Sequence, residues 1–97
     1  MYDLSFRPLA NNDVQEIYDY YEAINPKLAE AFMNDLGVSV KYIQIRPLAC
    51  QQRIGNIRST FLKRFRYGVY FKIYTNRISV IAVLHTSRNP QMWKKRK

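Results

Sequence analysis

The hydrophobic period changes once along this chain, near Gly55, and that change sets what it can fold into. Before it, apolar residues recur every three or four positions; after it, they alternate. The first pattern buries a stripe of a helix and the second one face of a strand. Ninety-seven residues are enough for one small core and not for two. Both halves must therefore share it. The expected class is α+β, with residues 1–97 as a single domain.

The elements follow in order. Tyr2, Leu4 and Phe6 alternate in a short opening strand that Arg7-Pro8 ends. Asn11 or Asn12 offers an N-cap, with Asp13 and Glu16 favourable in the first turn. Val14, Ile17, Tyr18 and Tyr21 then mark one face of a helix running to about Ala23. Asn25-Pro26 combines a cap with a first-turn proline. Leu28, Phe32, Leu36, Val40 and Ile43 continue as the stripe of a second helix, from Pro26 to about Ile45, stopped by Pro47. Gly37 is expected to permit close packing of the two helices, which form an antiparallel hairpin.

Leu48 to Asn56 reads as a loop. Ile57–Leu62 and Val69–Tyr74 are strands, and Thr75-Asn76 is a tight turn in which Asn tolerates positive φ. Arg77–Leu84, apolar on both faces, is a central strand. The order is β-α-α-β-β-β, a helix hairpin packed on one face of a small antiparallel sheet. The other face should stay partly open and carry Arg, Lys and Tyr side chains.

Charge divides along the same line. Met1–Ile45 holds three cations and seven acids, whereas Arg46–Lys97 holds thirteen cations and no acid. A half emptied of acids points to an anionic partner, either nucleic acid or an acidic protein. The longest aliphatic run, Val80–Leu84, is too short to span a bilayer. The start, Met1-Tyr2-Asp3, lacks the basic and apolar regions of a signal peptide. The chain reads as cytoplasmic, with no membrane partner. The single Cys50 reads as an inert, partly buried thiol.

Candidate polar groups gather in the second half: Arg58, Lys63, Arg64, Arg66, Tyr67, Tyr70, Lys72, His85 and Arg88. Without a carboxylate there, dyad hydrolysis and a Ser-His-Asp triad lack members. One His and one Cys cannot make a metal site. No glycine-rich phosphate loop is present, and no cofactor is expected. Cleavage of RNA by its own 2′-hydroxyl remains feasible. His85 would move the proton, and Arg58 and Arg88 would stabilise the phosphorane. Tyr67 or Tyr70 would stack on a base or donate a proton. Trp93 is either a core cap or a base platform. The tail Lys94–Lys97 reads as a solvated end.

These residues carry a resemblance. The opening strand, Asp13…Glu16-Ile17…Tyr20-Tyr21 and Pro26…Ala29…Phe32 are part of it. So are Arg58…Phe61…Arg64-Phe65-Arg66-Tyr67-Gly68-Val69-Tyr70-Phe71 and Ile81-Ala82-Val83-Leu84-His85-Thr86-Ser87-Arg88-Asn89-Pro90…Trp93…Arg96. Together they resemble the RelE/ParE superfamily of bacterial type II toxin–antitoxin toxins over nearly the whole chain. The resemblance implies a growth-arresting toxin with an acidic antitoxin as partner. RelE-like members are ribosome-dependent mRNA endonucleases, usually with a C-terminal tyrosine, and ParE-like members poison DNA gyrase. Here no tyrosine follows His85, and the H-x-x-R-x-P-x-x-W ending is nearer the ParE pattern. The expected action is mRNA cleavage by a metal-independent endoribonuclease, with Arg58, His85 and Arg88 catalytic. Lys63, Arg64, Arg66, Tyr67, Tyr70, Lys72 and Trp93 would bind the target. The alternatives are gyrase inhibition without chemistry, or a basic nucleic-acid-binding module without toxicity.

Overall fold

The computed structural model describes residues 1–96, so Lys97 of the expected tail lies outside the described residues. Strand β1 is Asp3–Phe6, followed by helices α1, Pro8–Ile24, and α2, Pro26–Ile45. A single 3-10 turn, Pro47–Ala49, leads to β2, Gln51–Gln52. Strands β3, Ile57–Phe61, β4, Tyr67–Ile73, and β5, Arg77–His85, then precede a short α3, Gln91–Lys94. The sheet order is β1-β5-β4-β3-β2.

Four local expectations need correction. Helix α1 starts at Pro8 rather than at Asn11 or Asn12, because proline's fixed φ suits the first helical position. Asp13 is thereby carried out of the first turn and into the buried face. The loop after α2 contains both the 3-10 turn and β2, so the sheet gains a two-residue edge. Tyr74 N–H donates to Arg77 O at 2.7 Å across Thr75-Asn76, yet neither turn residue has positive φ. Gly37 does not serve close packing, since an added Cβ there would meet nothing within 4 Å. Gly37→Ala is therefore expected to stabilise the protein by about 0.4–1 kcal/mol, seen as a higher midpoint in urea unfolding.

The sheet is mixed, not purely antiparallel. Strands β2 to β5 alternate in direction, but β1 lies parallel to β5, with Leu4 opposite Ile78 and Phe6 opposite Val80. A tight hairpin would force antiparallel pairing, but β1 and β5 are joined by a long connection, which permits the parallel arrangement. Both helices pack on one face. Phe32, Leu36 and Ile43 from α2 and Ile17 from α1 meet Val69, Phe71, Ile78, Val80 and Val83 there. Burying each such side chain contributes about 1.5–3 kcal/mol. The Asn25 side chain accepts Lys27 N–H at 3.0 Å and caps α2 as expected.

The opposite face is not left open. Strand β5 carries an irregularity opposite Tyr70/Phe71, and Ile81 and Ala82 both join the second apolar cluster. That cluster also holds Ile57, Leu84, Tyr70 and Trp93. Trp93 lies on α3 and stacks on Tyr70, ring centroids 5.1 Å apart and planes 14° apart. The chain's last described turn thus closes the face that alternation left unpartnered.

Candidate functional site

Strand β1 ends opposite Val80, so beyond it one edge of β5 has no neighbouring strand among the described residues. Backbone groups there need other partners. Asp13 on α1 accepts Val83 N–H at 2.9 Å, and Arg96 Nη1 donates to Ile81 O at 3.3 Å. The two side chains also form a bidentate ion pair, with Arg96 Nη2 3.2 Å from Asp13 Oδ1. Arg7 Nη1 donates to Arg96 O at 2.9 Å and fixes the segment from the other side. Arg96 is therefore part of the sheet's edge, not of a solvated tail.

A second buried carboxylate works in the same way. Asp35 on α2 accepts the N–H groups of Arg64 and Phe65 at 2.9 and 3.2 Å. Hydrogen bonds to a charged acceptor contribute about 1.5–3 kcal/mol each, enough to hold the β3–β4 loop in one shape. Thr86 N–H donates to Arg66 O at 2.9 Å and joins that loop to the turn after β5. Exposed Lys63, Arg64 and Arg66 thus stand at the same end of the sheet as His85 and Arg88.

Between α1 and that turn lies a cleft of about 390 Å³. Asn12, Glu16 and Tyr20 line one wall, Ile17, Tyr67 and Val83 the interior, and His85, Arg88 and Met92 the other side. Tyr67 and His85 meet edge to face at 5.3 Å. His85 Nδ1 accepts Ser87 N–H at 3.1 Å and lies 2.8 Å from the Ser87 hydroxyl. Accepting that bond requires an unprotonated Nδ1, which puts the neutral ring's proton on Nε2. Neutral His85 consequently offers a donor, while its lone pair is already engaged. Burial, then Tyr21, pushes the Tyr67 phenol well above its ordinary range, and nearby Arg88 partly offsets this. Tyr67 remains a neutral hydroxyl.

Arg58 does not join this group. It pairs with Phe71 on β4, whereas His85 pairs with Tyr67, four residues away along the same strand. That is about 13 Å at 3.3 Å per residue, and β3 and β5 lie on opposite sides of β4. Its guanidinium donates to Leu48 O at 3.3 Å and Cys50 O at 2.8 Å, which holds the turn after α2. The expected trio of Arg58, His85 and Arg88 is thus divided. Tyr70 and Trp93 spend their faces on each other, and Lys72 lies half-exposed on β4. Burial pushes the Cys50 thiol up, against the opposing pull of Arg58, so it stays protonated.

Reasoning within the second half missed the acids that the fold imports. Glu16 reaches the His85 cleft, and Asp13 and Asp35 reach buried backbone. Their signal is positional: Asp13 lies four residues before Ile17, and Asp35 lies between Phe32 and Leu36, so each acid falls within an apolar stripe. Among the described residues no three of His, Cys, Asp and Glu come together to hold a metal ion. Nor is any helix among them long and apolar enough to cross a membrane.

A family model described as "ParE toxin of type II toxin-antitoxin system, parDE" matches residues 4–90. Among curated proteins no sequence matches. A solved structure described as "Chromosomal ParDE TA system from P. aeruginosa" is similar, with a TM-score of 0.75 and 22% identity. The likeness covers 88% of this chain and 96% of that one, and at this identity it is one of fold.

Proposed function

Because this chain belongs to the ParE toxin family of type II toxin–antitoxin systems, we propose that it arrests growth by binding DNA gyrase, without chemistry of its own, and that an acidic antitoxin restrains it. The observation that carries this reading is the division of the polar residues. Arg58 is committed to the carbonyls of Leu48 and Cys50, and the Nδ1 of His85 to Ser87. What remains exposed at that end is a set of cations on a rigid loop, a surface suited to docking.

The antitoxin's acidic character follows from the charge of this chain, +9 overall. Strand β2 covers only Arg58 and Ser59, so the β3 edge at Thr60 and Phe61 is free for a partner strand. Beside it lies an apolar groove lined by Val38, Tyr42 and Phe61, with Lys63 at its rim.

A second reading, cleavage of ribosome-bound mRNA, is favoured by one observation: His85, Arg88, Tyr67 and Glu16 do line one cleft. Expression of the chain alone in a bacterial host separates the two. Gyrase binding predicts filamentation and DNA damage with transcripts intact, relieved by co-expressing a small acidic neighbour gene. A rapid stop in translation with cleaved transcripts would instead establish the second reading. Normal growth would leave only a basic nucleic-acid-binding module.

A further inference from the structure

The cleft between α1 and the turn after β5 carries both signs of charge, which restricts what fits it. Asp13 and Arg96 reach its lining but neutralise each other. Glu16 is left on one wall and Arg88 on the other. A bare anion would be repelled by Glu16, and a simple cation by Arg88. Asn12 Nδ2 donates to one lone pair of Glu16 Oε1 at 3.2 Å and orients the carboxylate, whose two oxygens each keep a lone pair for a ligand. Tyr20, largely exposed, and half-buried His85 and Tyr67 add three aromatic rings. The volume, about 390 Å³, lies in the ordinary range for small-molecule sites.

A ligand matching these features has two adjacent donors at one end, a flat ring system in the middle and an anion at the other. We propose that this cleft binds a guanine nucleotide, with Glu16 taking the base, the rings of Tyr20 and His85 flanking it, and Arg88 taking the phosphate. Guanine presents N1–H and its 2-amino group side by side, and a carboxylate accepts both. Adenine presents a donor beside an acceptor, so one carboxylate oxygen would face a lone pair. Stacking on aromatic rings is shared by all bases and gives affinity without choice. Discrimination therefore rests on Glu16 alone. The site goes beyond growth arrest and holds whichever target the toxin meets.

Calorimetric titration of the full chain with 5′-GMP, 5′-AMP and inorganic phosphate tests this. GMP should bind at least about tenfold more tightly than AMP, the scale of one good bidentate pair. Glu16→Gln should erase that ratio, and Arg88→Ala should weaken both nucleotides alike. Glu16 is exposed on α1, so its replacement leaves the fold intact, which circular dichroism checks. In NMR spectra GMP should shift the Tyr20 and His85 ring signals. Equal binding of GMP and AMP, a preference that survives Glu16→Gln, phosphate binding as tightly as GMP, or no binding at millimolar GMP would each overturn the proposal.

Discussion

Replacing Asp13 with alanine is expected to remove about 3–5 kcal/mol of folding stability, the cost of breaking a buried ion pair by deleting one partner. The side chains of Arg96 and Asp13 are only 15% and 9% exposed, so water cannot replace the lost partner. The substitution strips Val83 N–H of its acceptor as well as Arg96 of its counter-charge. Each loss is felt at the β5 edge that β1 is too short to cover. Total stability for a domain of this size is about 5–15 kcal/mol, so the variant should approach marginal folding. Guanidinium unfolding measures it. Asp13→Asn should cost less, because the amide oxygen still accepts from Val83. In the double variant Asp13→Ala/Arg96→Ala the loss should fall short of the sum of the singles, since no charge is left stranded. A loss below about 1 kcal/mol for Asp13→Ala, the value of an exposed pair, would show that the edge is held by something else.

This pair also marks where sequence reasoning stops. Asp13 and Arg96 are 83 residues apart, and no period relates them. Periodicity did locate both helices, the hairpin and the strands β3 to β5, because each burial pattern is written within the element itself. Asn25-Pro26 and Pro47 gave the bounds of α2, because caps and prolines act within a turn. The direction of β1 was out of reach, since a strand joined to its neighbour by a long connection can run either way. Short α3 was equally hidden, because four residues carry no period. Its Trp93 reads from the sequence as a core cap or a base platform, and stacking on Tyr70 makes it the cap.

The candidate site was half legible for a related reason. His85, Arg88 and Tyr67 are brought together by β4–β5 pairing, which alternation anticipates. Arg58 was grouped with them by residue type. Its place on β3, opposite Phe71, sends it to the turn after α2 instead. Glu16 reads from the sequence as a first-turn acid of α1, yet that helix starts at Pro8 and lies across the end of β5, which brings Glu16 to His85. Charge counted by sequence halves says what the chain attracts. It does not say which charges share a cleft.

Under the binding reading, His85→Ala should leave growth arrest essentially unchanged, whereas Lys63→Ala/Arg64→Ala/Arg66→Ala should relieve it. Deleting a general acid or base costs about 10²–10⁴ in rate, which would end toxicity if the protein cleaved RNA. A docking protein with its Nδ1 tied to Ser87 loses no such step. The loop cations act differently. Exposed charges contribute about 0.2–1 kcal/mol each, so three together should weaken target binding by roughly 3–150-fold. The backbone of that loop is held by Asp35 and Thr86, so the triple variant keeps its shape and loses only charge. Lys95→Ala, on the exposed side of α3's end, serves as the matched control and should change nothing. Growth curves in a bacterial host, with transcript integrity and DNA damage scored together, give the answer. If His85→Ala abolishes arrest while the triple variant stays toxic, and both fold, the docking role is wrong and the cleft around His85 is where the toxin does its chemistry.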